Sequence, residues 1–162
     1  MDNIISPPSL GQLGSGISVG VKATGTDNMI SGNTIFGSGA GIQAGTETII
    51  TGNNGYDYND GGMGAGADCL FSGNNSSHGG VIYSDVRTLL LNNVANSDSN
   101  SGIHVGADGS AIGNVADNDT QIYPGFVVQC PSKVDNNTAL GNGAPNLSET
   151  GAGCLNTNNL AP

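Results

Sequence analysis

A short phrase returns about every twenty residues along this chain, and it constrains the fold more than any other feature. A Gly-apolar pair is followed, eleven residues after its apolar member, by an Asn. The instances are Gly41-Ile42 with Asn53, Gly62-Met63 with Asn74, Gly102-Ile103 with Asn114, Gly125-Phe126 with Asn137 and, with Val81 in the Gly position, Ile82 with Asn93. Counted from Asn33, these marker Asn residues are spaced 20, 21, 19, 21 and 23 apart. A period of this length is typical of a solenoid whose repeats are stacked coils.

Side-chain alternation indicates which residues face the interior of such a coil. The position three residues before each marker is apolar, and strand side chains alternate between the two faces, so this set can point inward together. The opposite phase would bury Ser110 and Lys133 without obvious partners. The predicted inward set is Ile30, Ile50, Phe71, Leu90, Ala111 and Val134. Two further inward columns are predicted in the leading strand: Ile42, Met63, Ile82, Ile103 and Phe126, and Ala44, Ala65, Ser84, Val105 and Val128.

The marker Asn residues have a structural explanation of their own. A sharp corner between two strands needs a residue in the left-handed region, which Asn tolerates better than other non-Gly residues. Stacked Asn side chains can also hydrogen-bond to one another as an amide ladder. We therefore expect these residues to shape the fold and assign them no catalytic role.

Composition and charge exclude several classes of function. The 162-residue chain has 28 Gly, only 10 % charged residues and a net charge of −10. Its three basic residues are too few to displace counterions from phosphates, which argues against nucleic-acid binding. No run of 18 apolar residues exists, so membrane insertion is not expected. The first residues lack a signal sequence, so an exported protein would have lost its signal or be part of a longer chain.

The repeats resemble the right-handed parallel β-helix proteins, the pectate-lyase-like superfamily. The segments that carry the resemblance include Ile30-Ser31-Gly32-Asn33-Thr34-Ile35 and Gly102-Ile103-His104-Val105, and it covers roughly residues 16–140. The resemblance implies an all-β right-handed parallel β-helix of about six coils with roughly 20 residues per coil. Residues 1–15 are then an N-terminal segment, a cap or an interface arm, and residues 141–162 are a C-terminal capping tail.

The three cysteines allow two readings. Cys130 and Cys154 both lie near the C-terminus, where a bridge would pin the last loop, and Cys69 would be left over. The alternative is that all three are small, reduced, buried side chains. The tail also resembles the C-terminal closure of uncharacterised bacterial β-helix proteins, which supports the bridge. A bridge would favour an oxidising compartment.

One group of polar residues is a candidate catalytic groove. The predicted alternation places Tyr83, Asp85 and Arg87 outward on one coil, beside His104 and Asp108 on the next. Arg would neutralise a uronate, His or Tyr would move a proton and Asp would orient His, as in polysaccharide lyases or epimerases. The competing reading is a solvated polar face, and the motifs of β-helix pectin hydrolases and alginate epimerases are absent.

Metal binding is a weaker possibility. Asp57, Asp60, Asp117 and Asp119 lie in Asp- and Asn-rich segments whose oxygens suit Ca²⁺, but neither segment has an EF-hand or calcium-coil pattern. We therefore expect no cofactor, with Ca²⁺ as the alternative. No zinc cluster and no phosphate-binding loop is indicated.

An outward apolar stripe is the feature that bears most on function. Its members lie four or two residues before a marker: Met29, Ile49, Leu70, Leu89, Leu91 and Ile112. A contiguous exposed apolar stripe usually marks a contact surface. Two partners fit equally well, the chain's own N-terminal segment with Ile4, Ile5, Leu10 and Leu13, or a second copy of the protein.

These observations favour a non-enzymatic, extracellular or cell-surface module that is structural or adhesive and self-associates through the stripe or the solenoid ends. The alternative is a polysaccharide-binding module or polysaccharide-acting enzyme.

Overall fold

The computed structural model describes residues 4–5, 21–36, 41–56, 62–78, 81–96, 102–117, 123–142 and 145–161. Within these ranges the chain forms twenty-one short strands and no helix. The strands belong to three seven-stranded sheets in which every pairing is parallel. The predicted all-β parallel solenoid is therefore confirmed.

The chain visits the three sheets in a fixed order, one short strand in each per coil. Sheet 1 contains β2 (Val21–Ala23), β5 (Ile42–Ala44), β8 (Met63–Ala65), β11 (Ile82–Ser84), β14 (Ile103–Val105), β17 (Phe126–Gln129) and β20 (Leu147–Thr150). Sheet 2 contains β3 (Met29–Ser31), β6 (Ile49–Thr51), β9 (Leu70–Ser72), β12 (Leu89–Leu91), β15 (Ser110–Ile112), β18 (Lys133–Asp135) and β21 (Leu155–Thr157). Sheet 3 contains β1 (Ile4–Ile5), β4 (Thr34–Phe36), β7 (Asn54–Tyr56), β10 (Asn75–Ser77), β13 (Val94–Asn96), β16 (Val115–Asp117) and β19 (Thr138–Leu140).

The core is a set of continuous files of like residues, as the repeat predicts. In sheet 2, Ile50, Phe71 and Leu90 are fully buried and follow one another in register. In sheet 1 the file from Ile42 to Phe126 is at most 1 % exposed. The predicted inward phase is therefore confirmed.

The left-handed corner lies one residue earlier than the sequence predicts. The marker Asn residues do not have positive φ; the residue before each of them does, as at Gly52 (φ 62°), Gly73 (φ 62°) and Asn92 (φ 52°). The expectation that the markers turn the corner is therefore wrong. Gly takes the left-handed position most often because it has no Cβ to clash there, which frees the Asn to point into the core.

The marker Asn residues instead form an amide ladder that runs through the described coils from Asn33. Each Nδ2 donates to the Oδ1 of the next marker, at 2.8–3.0 Å. The same Oδ1 also accepts the backbone N–H of the preceding marker, as from Asn74 to Asn93 at 3.0 Å. The ladder predicted as a second role is confirmed, and it reaches one coil further than predicted, to Asn159.

A second file of small polar side chains stabilises the corner between sheets 1 and 2. The Thr48 backbone N–H donates to Cys69 Sγ at 3.3 Å, and the Cys69 N–H donates to Thr88 Oγ1 at 3.4 Å. Two coils further, the Gly109 N–H donates to Ser132 Oγ at 3.2 Å. Cys69 is free, as both readings of the cysteines expected, and buried, and it occupies a place that hydroxyl residues fill in neighbouring coils.

The C-terminal tail continues the solenoid. β20 pairs with β17, β21 pairs with β18, and Leu160 bridges to Thr138. A disulfide joins Cys130 to Cys154, whose Cα atoms are 4.9 Å apart, so the predicted bridge is confirmed. This coil is therefore fastened to the one before it by strand pairing and by a covalent bond.

Candidate functional site

The outer face of sheet 2 carries the predicted apolar stripe. Met29, Ile49, Leu70 and Leu89 are direct neighbours in register on β3, β6, β9 and β12. Met29 is 69 % exposed and Ile49 is 39 % exposed, whereas Leu70 and Leu89 are half-buried. The four side chains form one file about 14 Å long, given a strand spacing of about 4.8 Å.

A second, shorter apolar pair lies beside this file. Leu91 and Ile112 are in register on β12 and β15 and are half-buried. Past Leu89 the first file becomes polar, with Ser110 and then Lys133, whose Nζ lies 3.8 Å from Asp135 Oδ2. We call the six residues from Met29 to Ile112 the sheet 2 patch: Met29, Ile49, Leu70, Leu89, Leu91 and Ile112.

The predicted N-terminal cover for this patch lies mostly outside the described residues, as do Leu10 and Leu13. The described part, Ile4–Ile5, is strand β1, which pairs with β4 in sheet 3. This strand therefore extends sheet 3, while the patch lies on sheet 2.

The outer face of sheet 1 brings together part of the candidate polar groove. Tyr83 and His104 are in register on β11 and β14, and their ring centroids are 5.8 Å apart with a 45° tilt. They border a shallow recess of about 260 Å³, open solvent included, whose rim also holds Asp85 and Gln129. A Cβ on Gly106 would lie 2.5 Å from the Asp85 carbonyl carbon, so Gly lets the two coils approach closely at the recess.

The residues of the candidate groove have different electrostatic surroundings. Burial lowers the pKa of His104, so its imidazole is neutral at pH 7. Arg87 makes a bidentate ion pair with Asp68 on the preceding coil, with Nε–Oδ1 and Nη2–Oδ2 distances of 2.7 Å. The hydrogen bond from Arg87 lowers the pKa of Asp68. The guanidinium is therefore bonded to Asp68, and Arg87 is not among the residues that line the recess beside His104.

The corner that carries Arg87 is a file of charged residues in the left-handed region. Its members are Asp27, Glu47, Asp68, Arg87 and Asp108, with φ between 55° and 60°. Asp108 thus stacks beside Arg87 as predicted, at a turn rather than on the sheet 1 face that holds Tyr83 and His104.

The candidate calcium ligands fall mainly outside the described residues. Asp57, Asp60 and Asp119 lie there, and Asp117 ends strand β16 half-buried. In the described part of the chain, three potential ligand atoms come within 4.8 Å of one another at Cys130, Glu149 and Cys154. Because the two sulfurs are joined in the disulfide, neither offers a thiolate to a metal.

No protein-family model, no curated protein and no solved structure matches this chain. The parallel solenoid therefore rests on the structure of this chain, and no family or relative supports membership of the pectate-lyase-like superfamily. Among the described residues no helix is long and apolar enough to cross a membrane.

Two groups of structural residues were not anticipated from the sequence. The Thr48–Cys69–Thr88 file was missed, although these residues precede the sheet 2 strands at the coil period. The polar side chains that close the last coil, Glu149 and Asn156, were missed as well. The signal that could have found them is the coil repeat, which places Glu149 at the Val128 position and Asn156 at the Val134 position of the preceding coil.

Proposed function

We propose that this protein is a non-enzymatic structural or adhesive module that self-associates side by side through the sheet 2 patch. The observation that carries the proposal is the file of four adjacent outward apolar side chains, of which Met29 is 69 % exposed. An isolated exposed apolar residue is ordinary, whereas a contiguous file costs solubility unless another surface covers it. A second copy can supply that cover with the same patch, as in a two-fold symmetric contact.

The size of the patch sets the strength of the contact. A file about 14 Å long and one or two side chains wide covers a few hundred Å², well below the roughly 800 Å² per partner of a standard stable interface. We therefore expect weak association between free copies. Copies held close together on a surface or in a filament would associate much more firmly, because the effective concentration of the second patch is raised.

The body of the molecule suits a durable part of an extracellular surface, sheath, filament or appendage. The amide ladder joins every coil to the next through buried hydrogen bonds, and the Cys130–Cys154 disulfide fastens the last coil. A disulfide of this kind persists in an oxidising compartment outside the cytoplasm. We extend this to an extracellular or cell-surface location. The resemblance to bacterial β-helix proteins agrees with that location.

Sedimentation velocity over a range of concentrations tests the proposal. The variant I49K/L70K places two like charges in the middle of the file, and we expect it to remain a monomer where the unmodified protein associates. The matched control is V94K/V115K, which puts the same charges on two outward, half-buried, in-register residues of sheet 3. Association lost equally in both variants, or absent from the unmodified protein at high concentration, would contradict the proposal.

A second candidate function is polysaccharide binding on the outer face of sheet 1. The recess beside Tyr83 and His104 favours it, because Tyr83 is 51 % exposed and offers an apolar ring face beside the polar groups of Asp85 and Gln129. The Arg87–Asp68 ion pair argues against uronate chemistry in the same place. The ligands of this second candidate function are therefore neutral sugars.

Glycan-array binding tests this second candidate. Binding that is lost in Tyr83→Ala and retained in Tyr56→Ala, an exposed tyrosine of sheet 3, would support it. The absence of any glycan signal would remove it and would leave the structural proposal untouched.

A further inference from the structure

The last coil breaks the rule that every earlier coil follows. Inward positions on sheet 1 at the Val128 register are small or apolar from Ala44 onward, but on β20 this position is Glu149. Inward positions on sheet 2 are apolar from Ile30 to Val134, but on β21 the position in register with Val134 is Asn156. Two separate core files therefore end in a polar residue on the same coil.

These polar residues bond to each other and to the amide ladder. Asn156 Nδ2 donates to Glu149 Oε1 at 3.2 Å, and Asn159 Nδ2 donates to Asn156 Oδ1. Asn159 Nδ2 also donates to the Val134 carbonyl at 2.9 Å, and its Oδ1 accepts from Asn137. The result is a connected polar layer over the end of the core, with Glu149 and Asn156 exposed to solvent.

Several large apolar side chains are buried beneath this polar layer. Phe126, Val128 and Val134 are at most 1 % exposed, and Leu147 and Ala161 pack partly against the same core. The strands β20 and β21 are edge strands of their sheets, and apolar side chains beside such edges would favour pairing with another chain. Terminal repeats of solenoid proteins need a polar outer face for this reason.

We propose that the coil formed by residues 145–161 is a stop that prevents a second copy of the protein from stacking onto this end of the solenoid. A second copy packed against this end in a two-fold arrangement would bury the Glu149 carboxylates of both copies in one contact. Burial of like charges without a partner is strongly unfavourable. This inference deepens the proposed function, since it restricts self-association at this end and leaves the sheet 2 patch as the contact surface.

The test restores apolar residues to the two capping positions in the full-length chain. In E149V/N156V we expect a new tail-to-tail dimer of twice the monomer mass and elongated shape, measured by sedimentation velocity and light scattering. Both substituted residues are exposed, so the fold is expected to persist, and circular dichroism checks this. The matched control is S148V/T157V, which adds the same apolar residues to outward positions of the same two strands.

The same substitutions are made in the I49K/L70K background, so that failure of the stop and failure of the sheet 2 contact give different results. A dimer that forms in E149V/N156V/I49K/L70K, and does not form in I49K/L70K or with S148V/T157V, supports the stop. If E149V/N156V remains at the mass of the unmodified protein at every concentration, the inference is overturned. It is also overturned if S148V/T157V dimerises equally, because the added apolar surface would then cause non-specific association.

Discussion

The amide ladder provides the sharpest quantitative prediction, and Asn93 in its middle is the best residue to change. Asn93 is fully buried and makes four side-chain hydrogen bonds. Its Oδ1 accepts from the Asn74 backbone N–H and Nδ2 at 3.0 and 2.9 Å. Its Nδ2 donates to the Phe71 carbonyl at 3.1 Å and to Asn114 Oδ1 at 2.9 Å.

The cost of Asn93→Ala follows from which partners keep another bond. Asn74 Nδ2 still donates to the Ile50 carbonyl, and Asn114 Oδ1 still accepts the Asn93 backbone N–H. The Asn74 N–H, however, loses its bond to the Asn93 side chain, and the Phe71 carbonyl keeps only its place in the pairing of β9 with β12. At about 1–3 kcal/mol for the buried N–H left unsatisfied and about 0.5–1.5 kcal/mol for the net bond lost at Phe71, we expect a loss of about 1.5–4.5 kcal/mol in the free energy of unfolding. That is a large part of the roughly 5–15 kcal/mol typical of a domain.

The assay is urea unfolding followed by circular dichroism. The control is Asn75→Ala, which removes a half-buried amide on the outer face of sheet 3 that donates to Asn54 Oδ1 at 2.9 Å and accepts from Ser77 Oγ at 3.2 Å. Each net hydrogen bond of this kind contributes about 0.5–1.5 kcal/mol. Equal losses for the two variants, with unchanged dependence on urea, would refute the argument that the ladder holds the coils together.

Asn93→Asp separates loss of the donor from loss of the side chain. Aspartate keeps the acceptor toward Asn74, but it cannot donate while ionised and it places a negative charge against the Phe71 carbonyl and Asn114 Oδ1. We expect it to be less stable than Asn93→Ala at pH 7 and to recover part of the loss at low pH, where the carboxyl is protonated. If Asn93→Asp is as stable as the unmodified protein at pH 7, the hydrogen bonds that Asn93 Nδ2 donates do not stabilise the fold.

Three further outcomes are expected. Replacing Cys130 and Cys154 by Ser removes the bridge and should lower the free energy of unfolding by about 2–4 kcal/mol; an unchanged urea midpoint would count against its role in holding the last coil. Cys69 should react slowly with a thiol reagent in native buffer, because it is buried and burial raises its pKa; labelling as fast as in urea would disprove this placement. Burial lowers the pKa of His104 below its unfolded value, so the unfolded state takes up that proton first and stability falls as pH drops through about 6.5. His104→Gln should flatten that part of the pH profile, and an identical slope in the variant would show that another group is responsible.

The body of the solenoid is predictable from the sequence because two periods act together. The coil repeat places Ile50, Phe71 and Leu90 at the same point of successive coils, and strand alternation leaves one phase that buries them without stranding a charge. Neither inference needs knowledge of distant contacts. The sheet 2 patch could be placed for the same reason, since its residues are the outward neighbours of this buried file.

The corner was assigned to the wrong residue because the sequence permits Asn in both roles. Asn tolerates the left-handed region, and Asn92 does adopt it with φ 52°. Inside the solenoid, however, the amide of each marker accepts from the coil before it and donates to the coil after it. These two bonds explain why Asn is used at the marker position, where the backbone is not left-handed. The doublet Asn92-Asn93 contained the signal, because one Asn turns the chain and the next enters the ladder.

The partner of Arg87 was beyond sequence reasoning. Spacing places Asp68 on the coil before it and Asp108 on the coil after it at the same corner, and nothing in the period distinguishes the two directions. The geometry of the guanidinium decides in favour of Asp68 through two parallel bonds. Whichever aspartate it bonds, Arg87 lies at this corner and not on the strand face that holds Tyr83 and His104.

Methyl NMR of the methionines tests the central claim, that copies meet through sheet 2, without changing the protein. Met29 lies at the end of the apolar file and is 69 % exposed, whereas Met63 is fully buried on sheet 1 and provides an internal reference. As the protein concentration is raised, we expect the Met29 methyl signal to shift or broaden while the Met63 signal stays fixed. A Met29 signal that does not change at concentrations where light scattering detects association would contradict the account.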